Sequence, residues 1–447
     1  MKLFQKMLVA STAVGLISPL AAQASDTMNL EEMSNYSRSS SKVQRFDNKT
    51  FANEISEDLA ILKGRVDGLE AQQNEFEAGA FSETTTMDGK AIFTLGAMDY
   101  SLASETKSEA AKAFYTYTMN LNTSFTGDDN LYVRIKTGNH SKSDFSYDKT
   151  YGSYLSSTNT NGDALKVDKI WYQFPVGDNN TVWVGPRIEN YYMHGTTPSL
   201  YKPVTKQFTL GGNGEAYGAS TDTGAGWAFK ADNGFAISSN IGTKSNSSCA
   251  TGTISLQDGC VKKTSSNSYE NSGLLTNETK TSWATQVGYT QPNYSVSALV
   301  NIKTNGWSDT YYHTADHGKG GNGNFTSVGL RGWWRPDNAG TATPSISVGF
   351  DTTEYDGAPS SGSNSTAYFV GMNWTDMFQA DDKIGLAFGQ PTTNEAESVD
   401  PFAYELYYSF KPNDSVTVTP AVFGGTDRTG TAGADIFGAV LETTFKF

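Results

Sequence analysis

Beyond Leu20 the chain has no apolar run approaching the roughly 20 residues that a membrane-spanning helix needs. Its mean hydropathy is −0.45. A helical membrane protein is therefore excluded, but a membrane β-barrel is not, because its lipid-facing and lumen-facing residues alternate and average to polar. Cysteine is scarce as well: Cys249 and Cys260 are the only two. They lie close together in a polar stretch of a chain that carries an export signal, and are expected to close a surface loop as one disulfide. Histidine occurs four times, as His140, His194, His313 and His317, always in expected loops. His313 and His317 have helical metal spacing but stand among glycines, and no strand sets a His beside a Ser as hydrolysis requires. Gly211-Gly212-Asn213-Gly214 and Gly318-Lys319-Gly320-Gly321 lack the strand–glycine–helix context of a phosphate loop. No catalytic residue, metal or cofactor is expected, and the net charge of −14 argues against a nucleic-acid partner.

The informative residues lie at the two ends. Lys2 and Lys6 precede an apolar stretch, Met7 to Leu20, closed by Ala22-Gln23-Ala24. That is a secretory signal peptide over residues 1–24, with a small-residue cleavage site. At the other end, Phe437, Ala439, Leu441, Thr443, Phe445 and Phe447 fall on one face of a strand, and Glu442, Thr444 and Lys446 on the other. A terminal strand ending in Phe is the outer-membrane barrel pattern, in which the last strand pairs with the first and leaves no open edge in lipid. Phe445 and Phe447 are the expected barrel-closure signal, read by the barrel-assembly machinery.

Between the ends the period changes. Residues 25–50 are Ser- and Asn-rich without periodicity, a flexible lead. Ile55, Leu59, Leu62, Val66, Leu69, Gln73 and Phe76 then alternate spacings of four and three. This predicts a helix over 51–78 that forms a small periplasmic coiled coil beneath an oligomer, or packs on the barrel floor or in its mouth. From Gly89 the period is two, as in Val296, Ala298, Val300 and Ile302 against Ser295, Ser297, Asn301 and Lys303. Seven tight turns, among them Gly127-Asp128-Asp129-Asn130, Ala380-Asp381-Asp382 and Lys411-Pro412-Asn413-Asp414, separate eight long polar loops. Short periplasmic turns and long external loops are the outer-membrane arrangement. The expected fold is all-β: a transmembrane antiparallel barrel of about 16 strands over residues 89–447, preceded by a short periplasmic helix.

A barrel of that width leaves an aqueous channel, with selectivity set by bore and wall charge. The expected pore-lining residues are Arg134, Lys136, Arg187, Lys230, Arg331, Arg335 and Glu405, with Asp351 and Glu442 as further acids. Opposed basic and acidic walls set up a transverse field; the alternative is that these charges are merely solvated. The third long loop is aromatic where the others are Ser- and Asn-rich. Its Tyr191, Tyr192, His194 and Tyr201 are the candidate constriction, suited to stack on sugar or to pack the loop on the wall.

Gly185-Pro186-Arg187-Ile188-Glu189-Asn190-Tyr191-Tyr192-Met193, Thr205-Lys206-Gln207-Phe208-Thr209-Leu210-Gly211-Gly212-Asn213-Gly214, Tyr217-Gly218-Ala219-Ser220 and Ala231-Asp232-Asn233-Gly234-Phe235-Ala236 carry a resemblance. So does Leu62-Lys63-Gly64-Arg65-Val66-Asp67-Gly68-Leu69-Glu70-Ala71 ahead of the barrel. From about residue 54 to the end, the chain resembles the cyanobacterial Som-type outer-membrane porins, relatives of the carbohydrate-selective OprB porin family. The resemblance implies a homotrimer in outer-membrane lipid that passes small hydrophilic solutes by diffusion, and implies passage of carbohydrate or inorganic iron as the narrower alternative. A plugged structural or adhesive surface barrel is the reading from a different class. Members carry a surface-layer-homology domain after the signal peptide. Here about 30 residues separate Ala24 from the heptads, so that domain is missing or reduced and cell-wall anchoring is in question.

Overall fold

The computed structural model describes residues 84–101, 110–141, 144–146, 152–212, 215–217, 221–243, 260–262, 269–271, 280–304, 307, 324–337, 339–340, 342–356 and 362–447, together with Lys63 and Arg65. Lys63 and Arg65 are helical. The rest of the expected 51–78 helix, the flexible lead and the signal peptide lie outside the described residues, as do Cys249, His313 and His317.

Residues 84–447 form a unit of their own. Its strands in chain order are β1 (Thr85–Tyr100), β2 (Lys112–Thr123), β3 (Asn130–Gly138), β4 (Lys166–Pro175), β5 (Asn180–Glu189), β6 (Thr221–Lys230) and β7 (Phe235–Thr243). Two three-residue strands follow in the fourth long loop, β8 (Cys260–Lys262) and β9 (Tyr269–Asn271). The series resumes with β10 (Thr281–Gln291), β11 (Tyr294–Thr304), β12 (Phe325–Trp334), β13 (Ser345–Tyr355) and β14 (Asn364–Thr375). It ends with β15 (Lys383–Asn394), β16 (Phe402–Asn413), β17 (Val416–Thr426) and β18 (Ile436–Lys446). Sixteen of them close into one barrel, each antiparallel to its neighbours, while β8 and β9 pair only with each other. The sixteen strands expected from the turn count are present.

The distribution of side chains is inverted relative to a water-soluble sheet. Along β11, exposed and buried residues alternate strictly. Val296, Val300 and Ile302 are exposed, whereas Ser295, Leu299, Asn301 and Lys303 are buried. Trp283, Leu330, Phe350 and Tyr404 add to the exposed set. An apolar outer surface around a polar interior is stable only when the outer solvent is lipid. No helix among the described residues is long and apolar enough to cross a membrane; the crossing is made by strands.

Closure happens where the C-terminus anticipated it. β18 pairs with β1 from Ile436↔Tyr100 to Lys446↔Lys90. The Gly89 N–H donates to the Phe447 carbonyl at 2.9 Å, and the Phe447 N–H to the Gly89 carbonyl at 3.2 Å. The Phe447 ring stacks on Tyr117 at 5.8 Å, and Phe445 meets Phe93 at 5.1 Å. The barrel begins four residues earlier than the sequence period suggests. Thr85 to Asp88 pair with Asn120 to Thr123 of β2 below the end of β18. Asn120 Nδ2 donates to Asp88 Oδ1 at 2.6 Å there. A Thr-rich segment reads as linker alone and becomes strand once β2 offers it a ladder.

Two periplasmic turns are locked by a carboxylate. Asp129 accepts from the N–H groups of Phe125 and Thr126 and from the hydroxyl of Tyr172. The Tyr172 hydroxyl above all, with these amides, holds its pKa well below the usual range. Asp382 accepts from the N–H groups of Met377, Phe378 and Gln379 and from Tyr408. Burial opposes its ionisation, but those donors outweigh it and hold its pKa down.

Candidate functional site

The third long loop, described over residues 190–212 and 215–217, turns into the barrel. β5 delivers it through a short 3-10 turn, Asn190–Met193, and Met193 is buried against Trp171, Trp183, Ile188 and Ala228. The backbone then runs along the inner wall, and side chains of β7, β10, β12 and β13 bond to it in turn. The Gly195 N–H donates to Ser238 Oγ on β7 at 3.2 Å. The Thr196 N–H donates to Gln286 Oε1 on β10 at 3.0 Å. The Trp333 indole on β12 donates to the Thr197 carbonyl at 3.1 Å. The Leu200 N–H donates to Ser347 Oγ on β13 at 3.0 Å.

On β16, Glu405 is the far latch. It accepts from the Tyr201 hydroxyl at 2.9 Å, the Val204 N–H at 3.1 Å and the Thr205 N–H at 2.8 Å, and from the Thr205 hydroxyl. The loop then doubles back. Leu210, Gly211 and Gly212 take φ of 54°, 76° and 118°, a run of left-handed residues that glycine permits. A side chain at Gly212 would press on Phe369. Arg331 of β12 holds this turn: its Nε donates to the Leu210 carbonyl at 2.8 Å. Its guanidinium pairs with Asp351 of β13 at 2.6 Å and lies 4.7 Å from the centre of the Tyr217 ring. Lys303 Nζ donates to the Glu215 carbonyl, Tyr355 OH to the Glu215 carboxylate and Asn301 Nδ2 to the Ala216 carbonyl.

The second long loop, residues 139–165, braces the third. Leu155 bridges Thr205, the Ser156 N–H donates to the Val204 carbonyl at 2.7 Å, and the Lys206 N–H donates to the Tyr154 carbonyl at 2.7 Å. Its own anchors are Phe145, edge-on to Phe114 and Phe423, and Ser157, which donates to Glu442 on β18. His140 is buried in this loop, stacked on Phe114 at 4.9 Å. Burial, with Lys136 nearby, lowers its pKa to about 4. His194 in the third loop is buried beside Ser238 and Tyr217, and burial lowers its pKa to about 3.

Where the third loop leaves β5, aromatics and charges gather on the inner wall. Tyr132 lies 4.5 Å from Trp171, Trp171 5.1 Å from Tyr192, and Tyr192 4.9 Å from Tyr191, ring centre to ring centre. Arg134 pairs with Asp168, and its Nη1 donates to Tyr192 OH at 3.3 Å. Lys169 pairs with Glu189 and lies 4.8 Å from the centre of the Tyr192 ring. Tyr192 is 40% exposed, so part of this platform faces open space.

The residues singled out in the sequence separate into groups. Arg134 and Lys136 stand on the inner face of β3. Tyr191 and Tyr192 join Arg134 in the platform, whereas His194 and Tyr201 are packed away on the wall. Arg331 and Glu405 face inward but are buried as anchors of the third loop. Arg187 pairs with Ile170 on the outer face, because a register shift between Gly185 and Ile188 reverses the alternation. Lys230 and Arg335 are exposed at strand ends, where Arg335 donates to the Pro292 carbonyl at 2.8 Å. Cys260 opens β8 opposite Asn271. Sequence reasoning missed Tyr132, Asp168, Lys169 and Trp171, whose inward parity follows from alternation once the bulge in β4 is known. Among the described residues, no cluster fit to hold a metal ion is present.

A closed sixteen-stranded barrel, apolar outside and polar inside, with a long loop folded into its lumen, defines an outer-membrane porin, a channel for small solutes. The model of the carbohydrate-selective porin, OprB family, matches residues 47–447, and the chain belongs to that family. An uncharacterized protein of Nostoc sp. is 26% identical over 442 residues, covering 88% of this chain and 71% of that one. An uncharacterized protein of Synechocystis sp. is 30% identical over 140 residues, 31% of this chain and 25% of the relative. Among solved structures, Pseudomonas putida OprB superposes with a TM-score of 0.56 at 12% identity, over 81% of this chain and 94% of that one. The anion-selective porin of Comamonas acidovorans gives 0.51 at 10% identity, over 81% and 99%.

Proposed function

We propose that this porin passes small hydrophilic solutes by energy-independent diffusion, through the space left between the third loop and the wall of β1 to β4. The observation that carries the reading is the pinning of the third loop from β7 to β16. A loop bonded at five strands between β7 and β16 narrows the lumen permanently and needs no energy input to hold its position. In planar bilayers, purified protein is expected to give stable single-channel current steps in KCl. A barrel that inserts but never conducts would sink the diffusion reading in favour of a plugged structural barrel.

Carbohydrate is the favoured organic permeant. Tyr192, backed by the buried Trp171 and flanked by Tyr132 and Tyr191, offers a ring face to a sugar, and Arg134 and Asp168 beside it offer a donor and an acceptor to its hydroxyls. Liposome swelling with sugars of rising size is expected to show glucose entering faster than an uncharged polyol of equal size. Equal rates would remove the sugar preference. The barrel is proposed to work as a homotrimer in outer-membrane lipid, inserted by the barrel-assembly machinery through its Phe445–Phe447 end. Native mass spectrometry in detergent tests the trimer.

A further inference from the structure

Four lysines stand in one cross-strand row. Lys446 on β18 is the register partner of Lys90 on β1. Lys90 is opposite Thr118 on β2, Thr118 opposite Lys136 on β3, and Lys136 opposite Lys166, the first residue of β4. Residues directly opposite in an antiparallel pair share a face. On β1 that face carries buried Ile92 and Thr94, while Phe93 and Leu95 are exposed on the other; the row therefore lines the lumen. Barrel strands tilt by roughly 40° from the axis, so a row across them climbs the wall. It starts at the periplasmic end of β18 and ends where β4 leaves the second loop.

Lysines outnumber the acids beside them along this row. None of the four lysines makes an ion pair or a side-chain hydrogen bond among the described residues, and Lys90, Lys166 and Lys446 are exposed. Acids flank the row: Glu442, which accepts from Ser157, acts on Lys90 with the opposite charge, and Asp88, held by Asn120 and Asn122, stands two residues from Lys90 on the same face, while Asp168 and Glu189 are paired with Arg134 and Lys169. Across the gap, the third loop presents exposed Lys202, whose charge acts on Lys90, and Lys206, whose charge acts on Lys136.

Like charges set directly opposite destabilise a sheet, so the row carries a cost to folding. Neighbouring strands are about 4.8 Å apart. Lys446 and Lys90 are one strand apart, as are Lys136 and Lys166, and Lys90 and Lys136 are two, about 10 Å. The Debye length at physiological salt is about 8 Å, so the potentials merge into one positive strip. Ammonium groups bind phosphate as point charges. A doubly charged oxyanion can touch two of them and be handed to the next.

We propose that this ladder is a conduction path for inorganic oxyanions of the phosphate type. The proposal rests on the porin reading, and the two fail differently. Full-length protein in planar bilayers under a KCl gradient is expected to be anion-selective, and inorganic phosphate is expected to reduce its chloride current saturably. In the double variant Lys90→Gln/Lys136→Gln, the half-blocking phosphate concentration should rise about tenfold, and the chloride-to-potassium permeability ratio should fall about threefold or more. Lys411→Gln, which removes a lysine paired with Asp381 off the row, should keep wild-type block. A wild-type channel that prefers potassium, or that phosphate does not block, overturns the ladder and decides the matter even should the double variant fail to insert. Unchanged block in an inserted double variant overturns it too. Absence of any wild-type channel would instead count against the porin reading.

Discussion

The two halves of the barrel interior are built from the same alternating pattern and end in opposite states. On the half from β7 through β10 to β13, the inward side chains are spent on the third loop: Ser238 and Asn301 are 0% exposed and Gln286 1%. On the half from β18 through β1 to β4, Lys90, Lys166 and Lys446 stay exposed and outside any ion pair among the described residues. An inward position on a barrel strand thus has two fates, chosen by a loop from elsewhere in the chain. Beneath a docked loop a polar residue is scaffold; where no loop covers it, it belongs to the channel.

The sharpest way to break this contrast is to empty one covered position of its charge. In Arg331→Met, Asp351 is left as a buried carboxylate without its cation, and the Leu210 carbonyl loses its donor. Stranding one member of a buried ion pair costs about 3–5 kcal/mol. The temperature at which the barrel changes its migration on a semi-native gel should fall markedly, and Arg331→Met/Asp351→Asn should recover part of the loss. An unchanged transition would mean that the pair contributes little to the fold.

Next in size is Glu405→Ala, which removes the latch. The Tyr201 hydroxyl, the Val204 and Thr205 N–H groups and the Thr205 hydroxyl all lose their acceptor, and a hydrogen bond contributes about 0.5–1.5 kcal/mol. The barrel strands do not depend on these bonds, but the loop does. Single-channel conductance and the sugar size limit should both rise while anion selectivity stays, because the lysine wall is untouched. Conductance equal to wild type would show that the loop is held without Glu405.

These two residues also mark what the sequence can and cannot display. The sixteen strands, the seam at Phe447 and the inward parity of Arg134 and Lys136 follow from alternation and turn chemistry, which are local. Arg331 and Glu405 share that parity, yet their partners lie 121 and 200 residues away, and nothing near them in the chain announces a docked loop. Arg187 shows a different limit: one bulge in β5 reverses the alternation, and bulges leave no mark in periodicity. The lysine row is the extreme case, since Lys90 and Lys446 come from the first and last strands and meet only when the barrel closes.

Proton uptake at the buried histidines works against docking of the loops before it touches the frame. Burial keeps His194 neutral and lowers its pKa to about 3 from the ordinary 6.5. The undocked loop binds the proton more readily, so docking is fully present above about pH 6.5 and weakens as the pH falls toward 3. His140 adds the same sign in the second loop, down to about 4. Asp129 and Asp382, with lowered pKa values, keep their turns intact until the pH falls below the ordinary carboxylate range. Between pH 7 and 4.5 the histidines therefore work against docking, and wild-type channels should gain noise relative to a His194→Gln variant with no loss of the folded barrel. Noise independent of pH would mean that proton uptake at these histidines is not coupled to loop position.

The smallest expected effect lies where the two halves meet. Tyr192 leaves the covered side with the third loop yet is 40% exposed, stacked with Trp171 and bonded by Arg134. In Tyr192→Ala the platform loses one ring and Arg134 one acceptor, while Asp168 keeps its ion pair and the latch at Glu405 is untouched. An aromatic contact of this kind is worth about 0.5–1.5 kcal/mol, so sugar entry in liposome swelling should slow by about threefold to tenfold. Chloride selectivity and the thermal transition should stay at wild-type values, because neither the lysine row nor the anchors have changed. A variant that slows sugar without moving ion selectivity would separate two routes along one wall, one over aromatic faces and one along the ladder. A variant that shifts both would show that Tyr192 and the lysines act on a single path.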